Sequence, residues 1–266
     1  MKSKKYLVIG NPIDHSLSPK LQNYWLKQKN IDAFYDKIKL ESNEIKNFIN
    51  DLRQQKIAGC NVTVPFKKEV IPFLDDLSPE ADLTQSVNTI VFNNGRLIGH
   101  NTDIAGFYKA ITSLNLNMKG KKVFILGAGG VVPSIIFALK KMHVSMITVS
   151  NRTRQKAEEL IKNFNNLKIL NWGDMAEFDI VINATSLGLN SEFLNLDFSK
   201  AGSNKLFYDV IYNPKETNFL KEGKRLGNKT ENGKLMFVYQ AFEAFKLWHG
   251  IEPQIDTAIF KILDND

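Results

Sequence analysis

The sequence predicts an α/β protein of two domains with mostly parallel strands. Apolar runs of strand length alternate with helical patterns along the chain, which is typical of βαβ units. The 266 residues exceed the usual size of a single domain. A composition of 43% hydrophobic and 24% charged residues is that of an ordinary globular protein, and it excludes a disordered or fibrous chain.

The first part of the chain predicts two strands, two helices, a hairpin and a further helix. Asn93-Asn94-Gly95 separates the hairpin strands, and Asn-Gly between two such runs is the strongest short hairpin signal. The polar stretch 115–121 then marks a candidate domain boundary. The expected elements are strand 6–9, a helix over 19–29 that begins at Ser18, helix 44–55, strand 60–64, hairpin strands 87–92 and 96–99, and helix 104–114.

The second part of the chain predicts a nucleotide-binding arrangement of strands and helices. Two apolar helical stretches at the end are expected to pack back onto one of the domains. The expected elements are strands 122–126, 146–150, 179–183 and 206–211, helices 133–142 and 154–164, and the terminal helices 234–248 and 255–263.

The charge pattern favours an acidic small molecule over nucleic acid as the partner. Lys and Arg number 35 against 28 Asp and Glu, but the basic residues are scattered and form no arginine-rich helix. No apolar run approaches the roughly 18 residues of a membrane span, and the N-terminal apolar run is too short for a signal peptide. We therefore expect a soluble protein, either a monomer or a homodimer. Because Cys60 is the single cysteine, we expect no internal disulfide and a cytoplasmic location.

A glycine-rich turn follows the strand at 122–126 and precedes a helix. Glycines in this turn allow the backbone to approach a pyrophosphate held at the helix N-terminus. A purely structural turn is the alternative, because a bare glycine pattern is weak evidence. The predicted cofactor residues of the turn are Gly127, Ala128, Gly129, Gly130 and Val131.

The end of the next strand indicates NADP (NADPH) rather than NAD. An NAD site carries an acidic residue about 20 residues after the glycines, where it binds the ribose 2′-hydroxyl. Here the strand ends in Asn151, Arg152 and Thr153, and the arginine offers a bidentate fork for a 2′-phosphate. A surface arginine without a ligand is the alternative.

Polar side chains are concentrated in HSLSP (15–19), NVTVPFK (61–67), SVNT (86–89) and HNTD (100–103). Each run lies at or beside a strand end, where open α/β sheets bind their ligands. Short uncharged donors and acceptors suit a ligand with several hydroxyl groups. Taken singly, these residues are equally typical of helix caps and turns. The predicted polyol-binding residues are Ser16, Ser18, Asn61, Thr63, Asn88 and Asn101.

Lys67 and Asp103 are the predicted catalytic pair. Reduction of a ketone needs a proton at the developing alkoxide, and a lysine beside a carboxylate can deliver it. Considered separately, Lys67 is typical of a solvated surface charge and Asp103 of a helix N-cap. Other chemistries are disfavoured, because no G-x-S-x-G sequence occurs and the four histidines lack metal-ligand spacing. We therefore expect no metal.

These motifs, in this order, resemble the shikimate dehydrogenase family. The resemblance covers nearly the whole chain and is carried by GNPIDHSLSP, GCNVTVPFK, SVNT, GHNTD, GAGG, NRT, NATSLG (183–188), DVIYNPKET (209–217) and NGKLMFVYQAFEAFKLWHG (232–250). It implies NADPH-dependent reduction of 3-dehydroshikimate to shikimate, on the route to aromatic amino acids. It also implies a substrate-binding domain of residues 1–103 completed by 235–266, and a Rossmann-like NADP-binding domain of residues 104–234.

The resemblance also assigns roles to residues. Ser16 and Ser18 bind the substrate carboxylate, and Lys67 donates and accepts the proton. The glycines of the turn bind the pyrophosphate, and Asn151 to Thr153 bind the 2′-phosphate. The ring hydroxyls are held by Thr63, Asn88, Asp103 and Gln240 with Tyr212 nearby, and the nicotinamide side is lined by Thr185, Val210 and Gly233.

The chain departs from the family pattern at three places. Val132-Pro133 replaces an alanine-arginine pair, which removes one phosphate contact, Gln85-Ser86 replaces Gly-Ala, and Gln22 replaces a histidine. The alternatives are an NAD-dependent quinate/shikimate dehydrogenase, a non-catalytic shikimate sensor of the same fold, and a different Rossmann reductase. Asn151-Arg152 disfavours the first, and Lys67 with Asp103 disfavours the second. The third should lack the serine, asparagine and glutamine set.

Overall fold

The computed structural model describes residues 3–190 and 192–264. The chain divides into two compact units, one of Met1–Gly106 with Val238–Asp266 and one of Phe107–Phe237. The first unit is discontinuous in sequence, because the end of the chain returns to it. The assignment of substrate to one domain and cofactor to the other stays a prediction.

The first unit contains a six-stranded sheet with helices on both faces. Short 3₁₀ turns at Ser42–Glu44 and Ile71–Phe73 join some of its elements. Its elements before the boundary at Gly106 are β1 (Lys4–Gly10), α1 (Ser18–Gln28), β2 (Ala33–Lys39), α2 (Ile45–Arg53), β3 (Gly59–Val62), β4 (Asp76–Leu77), α3 (Pro79–Thr84), β5 (Thr89–Asn93), β6 (Arg96–His100) and the start of α4 (Asp103–Ser113), which contains that boundary.

Strand directions bring the polar motifs of the first unit to one edge of its sheet. The strand order is β2-β1-β3-β5-β6-β4, with β1 parallel to β2 and β3, and with β5 antiparallel to β3 and β6. The carboxyl ends of β1, β3 and β6 therefore lie at the same edge as the amino end of β5. The four polar runs of the sequence follow or precede these strand ends.

The core of the first unit lies on both faces of this sheet. On one face, Leu7 and Cys60 belong to a buried cluster with Phe48 and Leu52 of α2. On the other face, the ring of Trp248 lies over Gly59, where an added Cβ would come within 2.4 Å of the indole Nε1. A fully buried side chain such as Leu7 or Leu52 stabilises the fold by about 1.5–3 kcal/mol.

The second unit is built on a six-stranded, wholly parallel sheet of order β12-β11-β10-β7-β8-β9. Counted within the unit and read from β9, this is the 3-2-1-4-5-6 order of the Rossmann fold, so the predicted fold class is confirmed. After α4, the elements of this unit are β7 (Lys122–Leu126), α5 (Val132–Lys141), β8 (Met146–Ser150), α6 (Arg154–Glu159), β9 (Leu167–Leu170), β10 (Ile180–Asn183), β11 (Leu206–Asp209), α7 (Asn218–Arg225) and β12 (Lys229–Glu231). Helix α8 (Lys234–His249) contains the boundary after Phe237, and α9 (Thr257–Asp264) belongs to the first unit.

Some elements differ from the sequence prediction. The helix expected over 154–164 is α6 followed by a 3₁₀ turn, Leu160–Lys162, and the strand expected to reach 211 ends at Asp209. Strands β2, β4, β9 and β12 and helices α3 and α7 were not predicted. Among the described residues, none of the helices has the length and apolarity that crossing a bilayer requires.

Candidate active site

Lys67 and Asp103 form a buried ion pair at the polar edge of the first unit. The side chains are only 9% and 8% exposed, and Lys67 Nζ donates to Asp103 Oδ2. The backbone fixes both residues, because Lys67 O accepts from Val87 N at 2.9 Å and Asp103 is the first residue of α4. The structure therefore brings together the two residues that the sequence singled out as ionisable partners.

Asn88 holds the carboxylate of Asp103 in place. Its Nδ2 donates to Asp103 Oδ1 and to Thr102 Oγ1, both at 2.9 Å, and its Oδ1 accepts from Thr102 N at 2.7 Å. Each carboxylate oxygen of Asp103 thus has its own donor, one from Asn88 and one from Lys67. Because both oxygens are engaged, the orientation of the carboxylate is defined.

Asn101 fixes the start of α4, where Asp103 lies. Its Oδ1 accepts from Asp103 N at 3.1 Å, and its Nδ2 donates to Thr84 Oγ1 at 3.0 Å. This side chain is 7% exposed. In the structure it positions Asp103, while its predicted contact with a substrate hydroxyl stays a prediction.

Asn61 occupies a similar supporting position on β3. Its Oδ1 accepts from Tyr35 Oη at 2.7 Å, and its Nδ2 donates to Asn88 O at 3.1 Å and to Thr89 Oγ1 at 2.9 Å. Both amide hydrogens are therefore used within the protein. A direct substrate contact by Asn61 stays a prediction and would use the remaining lone pair of Oδ1.

Ser16 and Ser18 lie at the N-terminus of α1. Ser18 is buried and its N–H donates to Ser16 Oγ at 3.3 Å. Among the described residues no side chain caps this helix, and its first turn contains no acidic residue. The helix dipole favours a carboxylate at this position, which suits the predicted ligand.

The other predicted substrate residues lie in different places. Thr63 follows β3 and is packed so closely on β1 that a Cβ on Gly10 would lie 2.5 Å from its Cγ2. Gln240 lies half-buried on α8. The next residue, Ala241, links this helix to α1, because its carbonyl accepts a hydrogen bond from Gln22 Nε2 at 3.1 Å. Tyr212 belongs to the second unit, where it stacks on Phe237 with ring centroids 4.4 Å apart.

The glycine turn of the second unit fits a dinucleotide. Gly127 has a φ of +110°, and an added Cβ would lie 2.7 Å from Ala184 O, so only glycine is accommodated. Gly129 is exposed, and a Cβ added there would have open space, because its nearest contact would be Ala184 O at 4.0 Å. Ala128 N donates to Asn151 Oδ1 at 3.1 Å, and Val131 is the N-cap of α5. The turn leads directly into a helix N-terminus, as phosphate binding requires.

We predict that Gly127→Ala and Gly129→Ala have different effects. Gly127→Ala should destabilise the fold by about 1–3 kcal/mol through backbone strain. Gly129→Ala should leave the melting temperature unchanged, because the protein has room for the methyl group, but should raise KM for NADP by blocking close approach of the pyrophosphate. Thermal unfolding and steady-state kinetics measure both, and an unchanged KM in Gly129→Ala would contradict the assigned role.

Arg152 and Arg154 differ in their availability for a phosphate. Arg154 Nε donates to Glu158 Oε1 at 2.7 Å and its Nη1 donates to Asn171 Oδ1 at 2.6 Å. Arg152 is exposed, and within residues 3–190 and 192–264 no side chain pairs with its guanidinium. Asn151 is held beside it by an Nδ2 bond to Thr153 O at 2.7 Å. Arg152 is therefore the arginine of this loop that is available to a 2′-phosphate.

A buried network at the ends of β10 and β11 holds the loops predicted to line the nicotinamide. Asp209 accepts from Asn183 Nδ2 at 3.1 Å and from Thr217 Oγ1 at 2.6 Å. Asn183 Oδ1 in turn accepts from Thr185 Oγ1 at 2.7 Å, and Asn183 O accepts from Val210 N at 3.0 Å. Gly233 approaches this region so closely that a Cβ would lie 2.1 Å from Val210 O.

The Asp209 network predicts a pH-dependent stability. Burial raises the pKa of Asp209 from 3.8 to about 6, against the opposing hydrogen bonds from Thr217, Ile211 and Asn183. Since Asp209 binds its proton more tightly in the folded than in the unfolded state, protonation of Asp209 stabilises the fold. This stabilisation is full below about pH 4 and is lost as the pH rises through about 6. The free energy of unfolding should therefore fall by about 3 kcal/mol over this interval.

Denaturant unfolding at several pH values tests this prediction. In Asp209→Asn the side chain is neutral and nearly isosteric, and the Thr217 hydroxyl can rotate to accept from the amide. The fall between about pH 4 and 6 should accordingly disappear in the variant. An equal fall in both proteins would contradict the account.

Several residues of these networks are not among the predicted site residues. Thr89 and Thr102 lie inside the quoted motifs, as do Asn183 and Asp209, so the motifs contained the signal. Tyr35 lies on β2, for which no element was predicted. Within the described parts of the chain, no group of three His, Cys, Asp or Glu residues could hold a metal ion.

Comparison with known proteins gives matches along the whole chain. Residues 8–90 match the shikimate dehydrogenase substrate binding domain, residues 109–201 the shikimate/quinate 5-dehydrogenase model, and residues 235–259 the shikimate 5′-dehydrogenase C-terminal domain. A curated relative, the shikimate dehydrogenase (NADP(+)) of Pelagibacter ubique, is 54% identical over 98% of this chain and 99% of its own length.

Two solved structures are similar over the same extent. The shikimate 5-dehydrogenase of Thermus thermophilus in complex with NADP(H) and shikimate has a TM-score of 0.89 at 30% identity, covering 98% of each chain. The shikimate 5-dehydrogenase of Listeria monocytogenes in complex with shikimate and NAD also has a TM-score of 0.89 at 30% identity, covering 98% of this chain and 96% of that one. With the buried Lys67–Asp103 pair and the glycine turn in place, these matches show that the chain belongs to the shikimate dehydrogenase family.

Proposed function

We propose that this protein is an NADP-dependent oxidoreductase that reversibly reduces 3-dehydroshikimate to shikimate, a step of aromatic amino acid biosynthesis. The observation that carries the proposal is the buried Lys67–Asp103 ion pair, placed at an edge rich in hydroxyl and amide groups. Binding a polyol requires hydrogen-bond partners, but it does not require a desolvated acid–base pair. The pair therefore favours catalysis over a sensor role.

In the proposed reduction Lys67 supplies the proton. When bound, NADPH supplies the hydride that reaches the carbonyl carbon. Lys67 Nζ donates a proton to the carbonyl oxygen, which becomes the hydroxyl, and the neutral amine is reprotonated from water. In the reverse direction the amine takes the hydroxyl proton. Asp103 holds Lys67 and binds a ring hydroxyl, so that the proton is placed at one atom.

The remaining residues bind and orient the ligands in this proposal. Ser16 and Ser18, with the N-terminal turn of α1, hold the substrate carboxylate. The ring hydroxyls are bound by Thr63, Asn88, Gln240 and Tyr212 with support from Asn61 and Asn101. NADP would be held at Gly127 to Val131, at Asn151 to Thr153 through its 2′-phosphate, and at Thr185, Val210 and Gly233 on the nicotinamide side.

The cellular setting is part of the proposal. The single cysteine, Cys60, is fully buried on β3, and burial raises the pKa of its thiol, so it acts as a small core residue. A chain without disulfides suits a reducing compartment, and we place the enzyme in the cytoplasm. We assign it small-molecule ligands and no nucleic acid, and a monomeric or homodimeric state.

Initial rates with two substrates and two cofactors test the proposal. Purified protein is offered shikimate or quinate with NADP or NAD, and the absorbance of reduced nicotinamide is followed. Shikimate with NADP should give the highest kcat/KM. Preference for quinate with NAD would instead support the NAD-dependent quinate/shikimate dehydrogenase, while retaining the chemistry of Lys67 and Asp103.

A further inference from the structure

A hydrogen-bonded chain reaches the catalytic pair from edge strand β2. Tyr35 is 3% exposed, and its hydroxyl contacts Asn61 Oδ1 at 2.7 Å. Asn61 Nδ2 contacts Thr89 Oγ1 at 2.9 Å, and Thr89 Oγ1 contacts Asn88 Oδ1 at 3.2 Å. Asn88 Nδ2 then contacts Asp103 Oδ1 at 2.9 Å. The five side chains connect β2 with the first turn of α4.

The donors in this chain all point towards Asp103. Asn61 Nδ2 must face Asn88 O, because a carbonyl oxygen can only accept. This places Asn61 Oδ1 towards Tyr35, where only a donated hydrogen satisfies it. Thr89 receives a hydrogen from Asn61 and passes its own to Asn88, and Asn88 donates to the carboxylate. Bonds aligned in one direction polarise one another, and a negative charge at the accepting end strengthens this effect.

We propose that Tyr35 is a positioning residue for the Lys67–Asp103 pair. Its hydroxyl satisfies Asn61 Oδ1 and supplies the first hydrogen of the chain, and it thereby polarises the hydrogen bonds that the amides of Asn61 and Asn88 donate. The second of these amides holds Asp103 so that its other oxygen faces Lys67. The inference rests on the proposed function, in which this pair places the proton.

Tyr6 provides a matched control for Tyr35. The two residues are direct neighbours in register on β1 and β2, and both are 3% exposed. Both rings pack on Trp248, with centroid distances of 5.1 Å for Tyr6 and 6.1 Å for Tyr35. The Tyr6 hydroxyl is outside the hydrogen-bonded chain. Removing one oxygen atom from either tyrosine therefore changes the same aromatic cluster but interrupts the chain only at Tyr35.

Steady-state oxidation of shikimate by Tyr35→Phe and Tyr6→Phe tests the inference. Tyr35→Phe should lower kcat about tenfold, the effect of one buried hydrogen bond, with KM for NADP unchanged. Tyr6→Phe should retain the wild-type kcat. Thr89→Val interrupts the same chain, so the double variant Tyr35→Phe/Thr89→Val should lose no more than the larger single loss. An unchanged kcat in Tyr35→Phe, equal losses in both tyrosine variants, or additive losses would overturn the inference.

A readout without turnover separates this inference from the proposed function. The side-chain amide signals of ¹⁵N-labelled asparagine report hydrogen exchange at Asn61 and Asn88. Protection should be present in the wild type and in Tyr6→Phe and should be lost in Tyr35→Phe. If the wild type does not oxidise shikimate, the proposed function fails. Protection that survives in Tyr35→Phe overturns the positioning role whether or not the protein is active.

Discussion

Replacing Lys67 by alanine is expected to lower kcat for shikimate oxidation by about 10²–10⁴-fold, the usual contribution of a positioned acid–base group. KM for NADP should stay close to the wild-type value, because Lys67 belongs to the first unit and the predicted cofactor residues all belong to the second. The loss would appear in both reaction directions, since the same nitrogen donates the proton in reduction and accepts it in oxidation. Initial rates with shikimate and NADP, and with 3-dehydroshikimate and NADPH, measure it.

A second variant separates catalysis from stability at this position. Lys67→Ala leaves the Asp103 carboxylate buried without its cation, which costs about 3–5 kcal/mol and can unfold the protein. Lys67→Arg keeps the cation, but a guanidinium does not release its proton at ordinary pH. We expect Lys67→Arg to fold and to be nearly inactive. The exposed neighbour Lys68 gives the control, because Lys68→Ala should behave like the wild type; normal kcat in Lys67→Arg would contradict the proton-transfer role.

Replacing Arg152 by aspartate is expected to lower kcat/KM for NADP by about 10²-fold, because a charge-assisted hydrogen bond to phosphate is lost and a repelling charge is gained. The value for NAD should stay the same or rise, since aspartate can accept a hydrogen bond from the ribose 2′-hydroxyl. The ratio of the two kcat/KM values is the quantity to measure.

Arg154 provides the control for this change. It is two residues further on and exposed, but Glu158 and Asn171 already hold its guanidinium. Arg154→Gln should therefore leave the cofactor ratio unaltered. If Arg152→Asp lowered kcat/KM equally for NADP and for NAD, the arginine would support the loop and would not bind the 2′-phosphate.

The strands that the sequence predicted are the central ones, and the ones it missed are the edge strands. The eight predicted strands all lie between two neighbours in their sheets, whereas β2, β4, β9 and β12 each end a sheet. A central strand such as Ile180–Asn183 is buried throughout and is read as an apolar run. Edge strand Ala33–Lys39 carries the exposed Asp36 and the half-buried Lys37 between its apolar residues, and β4 has only two residues, so neither gives a clear pattern.

Motifs predicted the chemistry of the site better than its supporting contacts. Lys67 and Asp103 were identified because proton transfer needs these residue types, and the structure pairs them. The uses of Asn61 and Asn101 could not be read from the sequence, because an amide that binds a ligand and one that orients a neighbour look the same. Tyr35 was beyond prediction for a further reason, since its partner Asn61 lies 26 positions away on a different strand.

The most direct test of the central claim is one progress curve. Purified wild-type protein is mixed with shikimate and NADP, and the absorbance of reduced nicotinamide is followed while shikimate binding is measured by calorimetry on the same sample. The buried Lys67–Asp103 pair predicts that binding is accompanied by rapid and sustained NADP reduction. Binding of shikimate without any reduction of NADP would contradict the claim, and would identify the protein as a sensor built on this fold.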